Sequence, residues 1–353
     1  MNKKEFIDEL CKRLRKTPAD EAERTVNYYS EAIDDRIEDG MTEEEAVAAL
    51  GSIDDIVREV IGQSAADEKG ETADNRETEI KRVRKNYVVD PAGVNTVNVT
   101  ETNGSVELAK SPDGRIHFRV TEDKNLSYSV RKEKGVVIIR KETRRIGFAA
   151  LGISFPIDLG MTESRIKVEL PDNFAPFIDV KTGSGDISGT VGAAQGLFAG
   201  TGSGDISLKG VASGKTTLTS ASGDVEVLDL TTNEAEISTV SGDLSMKRCA
   251  AESMKLKTVS GGISGKEIYA DKKLIVNTVS GDIDINMESP LELGSFESTS
   301  GDISLSLYGC ESDYSVSAKS ITGKVGAPNG NESAGRAIRV RTASGDIDVF
   351  CEV

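Results

Sequence analysis

Two hydrophobic rhythms divide the chain. Over residues 1–63, apolar side chains recur at the three-to-four spacing of one helix face. Phe6, Leu10 and Leu14 form one stripe, with Ile7 and Cys11 beside it. After Thr17-Pro18, a second stripe of Ala22, Val26, Tyr29, Ile33 and Ile37 runs to Gly40. Thr42-x-x-Glu45 reads as a capping box opening a third helix through Ala46, Val47 and Leu50. Ser52-x-x-Asp55 opens a fourth, with Ile53, Ile56, Val57, Val60 and Ile61 apolar. These predict a small all-α bundle. Residues 64–86 are polar and nearly free of large apolar side chains, the composition of a solvated linker. Over 87–353 helical spacing gives way to runs of Val, Ile, Thr, Ser and Gly.

That last segment carries an internal repeat. Glycines recur at Gly185, Gly204, Gly223, Gly242, Gly261, Gly281, Gly301, Gly323 and Gly345, separated by 19 to 22 residues. Two positions after each comes Ile, Val or Leu, from Ile187 through Val225 to Ile347. Five before comes an apolar residue, from Val180 through Leu218 to Val340. The residues three and one before are always Ser or Thr. Strand side chains alternate faces, so both apolar columns point inward only if the chain bends at the Gly-Asp step. Glycine suits such a step because it tolerates positive φ. One unit cannot bury its apolar face alone, but stacked units bury a continuous core. The prediction is a mainly β protein: a single-chain β-solenoid of about nine coils of 19–22 residues, preceded by the helical bundle. Val97-x-Val99 and Gly104-x-Val106-x-Leu108 have the spacing of an earlier coil. Strands near Ile116–Val120, Val136–Arg140 and Ile166–Leu170 read as longer or decorated coils. The final coil, Ile347-Asp-Val-Phe-Cys-Glu-Val, lacks a polar cap, which predicts an open end that self-associates or is covered.

Charge and chemistry narrow the function. The 43 Lys+Arg against 59 Asp+Glu give −16, which disfavours nucleic acid and anionic membrane surfaces. Residues 1–63 hold 9 basic and 17 acidic side chains, so a basic protein partner suits the bundle. The N-terminus has no apolar signal region. The longest apolar stretch, Ile146–Leu159, is too short and interrupted to span a bilayer. Both features point to the cytoplasm. Cys11, Cys249, Cys310 and Cys351 form no C-x-x-C pair and read as buried free thiols. His117, the only histidine, lies opposite Ile116 and Phe118 on an alternating strand and should be exposed. Charged runs such as Lys132-Glu-Lys and Lys141-Glu-Thr-Arg read as solvated outer face. Calcium candidates are the recurring Asp186, Asp205, Asp224, Asp243, Asp282, Asp302 and Asp346. One Asp per repeat is sparse for calcium, and a turn-capping role is the simpler reading. Glycan-active β-helices need clustered carboxylates and aromatic platforms; aromatics make up 5% of this chain, with no Trp. No catalytic residue and no cofactor is expected.

The Ser-Gly-Asp-Ile repeat, with IKVELPDNF at 166–174 before it, resembles the bacterial putative-adhesin family of β-strand repeat domains. EAVAALGSIDDIVREVI at 45–61 resembles the HAAS helical signalling domain. In that family membrane-spanning helices usually separate the two parts, whereas here the intervening segment is polar. The resemblance implies no catalytic residue. It implies a non-catalytic scaffold, with helices for a signalling partner and a solenoid as an extended binding or self-association surface. The alternative it brings is a cell-surface adhesin or envelope-stress protein.

Overall fold

The computed structural model describes residues 2–14, 25–26, 29–30, 33, 42–48, 50, 53, 57, 82–123, 126–143, 164–328, 331 and 333–352. The chain forms two compact units, Met1–Glu79 and Ile80–Val353.

In the first unit, helix α1 (Lys3–Arg13) starts at a capping box absent from the sequence reading. Asn2 Oδ1 accepts the Glu5 N–H at 2.8 Å, and the Asn2 N–H donates to Glu5 Oε2 at 3.1 Å. Its stripe of Phe6 and Leu10, continued by Leu14, packs with Ile33, Ala46, Val47 and Ile53 into one buried cluster. Ala46 and Val47 sit on helix α2 (Glu43–Ala48), the third predicted helix. Of the predicted second and fourth helices, Thr25, Val26, Tyr29, Ser30, Ile33, Ile53 and Val57 have helical backbone. The rest of both, the linker reading over 64–81 and the apolar stretch Ile146–Leu159 lie outside the described residues.

The second unit is a mainly β solenoid of about eight turns. Strands β9 (Ile187–Thr201), β10 (Ile206–Ser220), β11 (Val225–Ser238), β12 (Leu244–Lys257) and β13 (Ile263–Asn277) stack in parallel. Ile206 faces Val225 and Leu244 faces Ile263, so neighbours are offset by one repeat. Each long strand bends a second time, midway along its length. Gly210 (φ 63°), Asp229 (58°), Arg248 (52°) and Glu267 (57°) hold that bend in left-handed backbone, one above the other. The residues five before and two after each repeat glycine are buried in every coil but one. Each such Val, Ile or Leu contributes about 1.5–3 kcal/mol of burial.

Coil order departs from chain order at both ends. Strands β2 (Thr96–Thr100) and β3 (Ser105–Lys110) form the early coil and pair with β8 (Phe177–Thr182) and β9. The next segment does not continue as decorated coils. Strand β4 (Ile116–Glu122) runs antiparallel to β7 (Arg165–Leu170), and β5 (Leu126–Glu133) antiparallel to β6 (Val136–Thr143). Lys134-Gly135, both at positive φ, makes the tight β5–β6 turn. β6 and β7 then stack in parallel on β2 and β3. The outermost strands are β5 and β1 (Val83–Val89), the latter antiparallel to β4 and starting inside the polar stretch 64–86.

At the other end, β13 passes to β14 (Ile283–Met287) and β15 (Leu293–Glu297). Beyond these lie β16 (Ile303–Tyr308) and β19 (Arg336–Thr342). β20 (Ile347–Glu352) pairs with both β16 and β18 (Val325–Gly326). β17 (Tyr314–Ser320) pairs with β19. The last coil in sequence is therefore enclosed, and the predicted open end belongs to 314–326 instead. The coil 336–352 buries Ile338, Val340, Ile347 and Val349, whereas in 314–326 Tyr314 is buried, Val316 and Ala318 are half-buried and Val325 is exposed.

Candidate binding surface

The repeat glycines form one edge of the solenoid. An added Cβ at each of the nine would overlap the carbonyl oxygen of the glycine in the adjacent coil. The order is Gly104, Gly185, Gly204, Gly223, Gly242, Gly261, Gly281, Gly301, Gly345 and Gly323. Most have no positive φ, so close backbone approach rather than left-handed conformation is what requires glycine here. The Ser/Thr three residues earlier supports the same contact. Thr201 Oγ1 donates to the Gly185 carbonyl at 2.9 Å and accepts the Gly204 N–H at 3.0 Å. The hydroxyl-to-carbonyl bond recurs from Thr182 to Thr342 and Ser320 in all nine repeats.

The aspartates form a second ladder. Asp205 N–H donates to Asp186 Oδ1 at 3.0 Å, Asp224 to Asp205 at 2.9 Å and Asp243 to Asp224 at 2.8 Å. Gly262 N–H donates to Asp243 but has no side chain to pass the pattern on. It resumes from Asp282 to Asp302 and Asp346, and ends at Lys324. Each carboxylate serves the neighbouring coil, not its own turn as the sequence suggested. Among the described residues no three His, Cys, Asp or Glu side chains gather into a metal-binding group.

Beside these ladders, the residue two before the repeat glycine faces outward in the later coils. Val240, Val259 and Val279 lie one above the other there, about half exposed, aligned by the Ser241–Ser260–Ser280 bridges. Thr299, Ala343 and Ile321 continue the row to the end coil. At about 4.8 Å per coil this row is roughly 24 Å long. Beside it lies a shallow cleft of about 440 Å³ flanked by Glu297, Arg341 and Lys319. The row was missed in the sequence because beyond Val240, Val259 and Val279 its members share only a position, not a residue type.

Several isolated groups sit differently from expectation. His117 is 4% exposed. Its Nε2 donates to Asp113 Oδ1 at 2.6 Å, and Nδ1 accepts from Asn86 Nδ2 at 3.1 Å. β1 and the turn before β4 cover the face that alternation alone left open. The His117 ring and the Arg115 guanidinium hold the Asp113 carboxyl well below the usual range. Lys141 is buried, not solvated, with Nζ 3.6 Å from Glu101 Oε1. Glu101 Oε2 accepts the Tyr128 hydroxyl at 2.7 Å, and Glu122 Oε1 accepts the Tyr87 hydroxyl at 2.7 Å. Burial pushes Glu122 up, but Lys85, Tyr87 and the Tyr128 N–H together bring it below its ordinary value. This network ties the antiparallel strands to the first coils. Only Cys249 of the four cysteines is buried; Cys11 and Cys310 are exposed and Cys351 is intermediate. Burial raises the Cys249 thiol to about 11. No helix among the described residues is long and apolar enough to cross a membrane.

The model of a family described as Toastrack DUF4097 matches residues 94–350, and that of HAAS matches residues 5–59. No curated protein matches the chain. A putative adhesin from Parabacteroides merdae is 14% identical, covering 77% of this chain and 97% of its own, with a TM-score of 0.46. A putative adhesin from Parabacteroides distasonis is 15% identical, covering 76% and 98%, with a TM-score of 0.44. A putative lipid binding protein from the same species is 17% identical, covering 76% and 96%, with a TM-score of 0.40.

Proposed function

This chain belongs to the Toastrack DUF4097 family, and from that premise we propose that it is a non-catalytic binding scaffold. The solenoid supplies an extended docking surface, and the acidic helical unit takes a signalling partner. One observation carries the first part: the row of Val240, Val259 and Val279, continued by Thr299 and Ala343 to a charged cleft. Exposed apolar side chains aligned over several coils mark an interaction surface more often than scattered ones do. The hydroxyls and carboxylates next to the row are engaged with backbone N–H and C=O groups of adjacent coils, as parts of the frame. The glycine corner and the Asp column therefore serve to build the edge, and the row beside them contacts the ligand. Calcium in millimolar amounts is expected to leave the melting temperature unmoved; a rise of several degrees would assign the Asp column a cation.

The test is a photo-crosslinking side chain placed in cells at Val240, Val259 or Val279, with Ser207 on another face as control. Capture of one defined species from the row and not from Ser207 is the expected result. Equal or absent capture at all four positions would rule the surface out. The same cells settle location. Protease added to intact cells is expected to leave both units whole if the scaffold is intracellular. Cleavage of the solenoid alone would favour the adhesin reading implied by family resemblance.

A further inference from the structure

The two ends of the solenoid treat their open strand edges differently. At one end the outermost strands are β1 and β5, each paired on one side only among the described residues. They carry exposed Arg84, Lys85, Arg131, Lys132 and Glu133, with Val83 and Val88 also exposed between the charges of β1. Charged side chains on an edge strand discourage further pairing. At the other end the outermost strands are β17 and β18. β17 pairs with β19, β18 pairs with β20, and neither has a second strand neighbour among the described residues. β17 reads Tyr-Ser-Val-Ser-Ala-Lys-Ser, with one charge in seven residues. Next to it Ile321 is 74% exposed, and Val325, an inward residue in the other coils, is 44% exposed. This end has the features of a template for strand addition: β17 carries a single charge, exposed Ile321 and Val325 lie beside it, and only at its first residue does a loop group, the Asn331 N–H, already bond the Tyr314 carbonyl.

We infer that the β17–β18 end is a self-association surface, and that its occupant is the same end of a second copy. Charge decides among the possible arrangements. Head-to-tail stacking would set Lys319 and Lys324 against the Arg and Lys side chains of β1 and β5. Like charges across an interface penalise that arrangement, and it would leave an open filament rather than a closed particle. End-to-end pairing about a two-fold axis has no such conflict. The axis runs β17 antiparallel to its mate and β18 antiparallel to its own. Ser317 is the midpoint of β17, so full overlap places it opposite itself and Lys319 opposite Ser315. The pairing extends the sheet across the axis and covers Ile321 and Val325, the apolar groups the last coil leaves open.

Sedimentation of the full chain tests this. The wild type is expected to show a monomer–dimer equilibrium and no larger species. Ser317 is exposed, so Ser317→Lys and Ser317→Glu should fold normally by circular dichroism. Each alone brings like charges together at the axis and should weaken dimerisation about tenfold or more. An equimolar mixture of the two should recover dimer, because Lys then opposes Glu. A strictly monomeric wild type, a dimer indifferent to both variants, assembly beyond the dimer, or a mixture that fails to recover would each overturn the inference.

Discussion

Gly242 lies so close to the Gly223 carbonyl that a Cβ would overlap it, and backbone, not a flexible side chain, would have to yield. Gly242→Ala is therefore expected to lower stability by about 3 kcal/mol in urea unfolding. Thr239→Val keeps the shape but removes the donor to that carbonyl, with an expected loss of about 1–2 kcal/mol. Gly262 makes the opposite case. An added Cβ there meets its nearest atoms at 3.6 and 3.8 Å, an ordinary contact distance. Gly262→Asn restores the missing side-chain acceptor in the aspartate ladder and is expected to gain about 0.5–1 kcal/mol. A fall in the unfolding midpoint would show that the ladder needs its gap. The positions of these residues were legible because residue type recurs in register. Their physical role was only half legible. Alternation predicted a bend, but the closeness of successive coils, not backbone handedness, imposes glycine.

The second bend shows what a strand-level pattern hides. Gly210, Asp229, Arg248 and Glu267 occupy the same left-handed position in successive coils without sharing a residue type. A non-glycine residue there carries about 1 kcal/mol of backbone strain or more. Asp229 and Arg248 offset part of it by pairing, with Arg248 Nε 2.6 Å from Asp229 Oδ1. The Glu267 carboxylate makes a looser contact, 3.8 Å from Lys247 Nζ. Glu267→Gly is accordingly expected to raise the melting temperature slightly, while Asp229→Gly, which also breaks the ion pair, should gain less. Equal gains would mean that the pair contributes nothing, as exposed pairs often do. Within 116–170, β4, β6 and β7 were found by their apolar alternation, but β5 was not, nor was the pairing of any of them. Alternation fixes which face of a strand is buried and says nothing of whether its neighbour runs parallel or antiparallel.

For the whole molecule, the buried network at the β1–β5 end sets a response to acid. Folding lowers the Glu122 pKa, so its stabilisation is complete above its unfolded value of about 4.3 and is lost as pH falls through the lower folded value. Asp113, also lowered, acts in the same direction. Hydrogen exchange is expected to rise in β1, β4 and β5 below about pH 4 while β10 to β13 stay protected. Glu122→Gln should flatten that pH dependence; a uniform rise over all strands would show that the end does not open separately. The same end explains why His117 and Lys141 were misplaced: both are covered by strands distant in sequence, β1 over His117 and β2's corner against Lys141. The sequence by itself determined the solenoid, its repeat length, its inward columns and its corner, because a coil needs the same residue types at the same places to stack. Tertiary structure alone decided the order of coils at each end, the antiparallel closure and which coil stays open. Those depend on comparing the apolar surface that competing coils bury, and no single stretch of sequence contains that comparison.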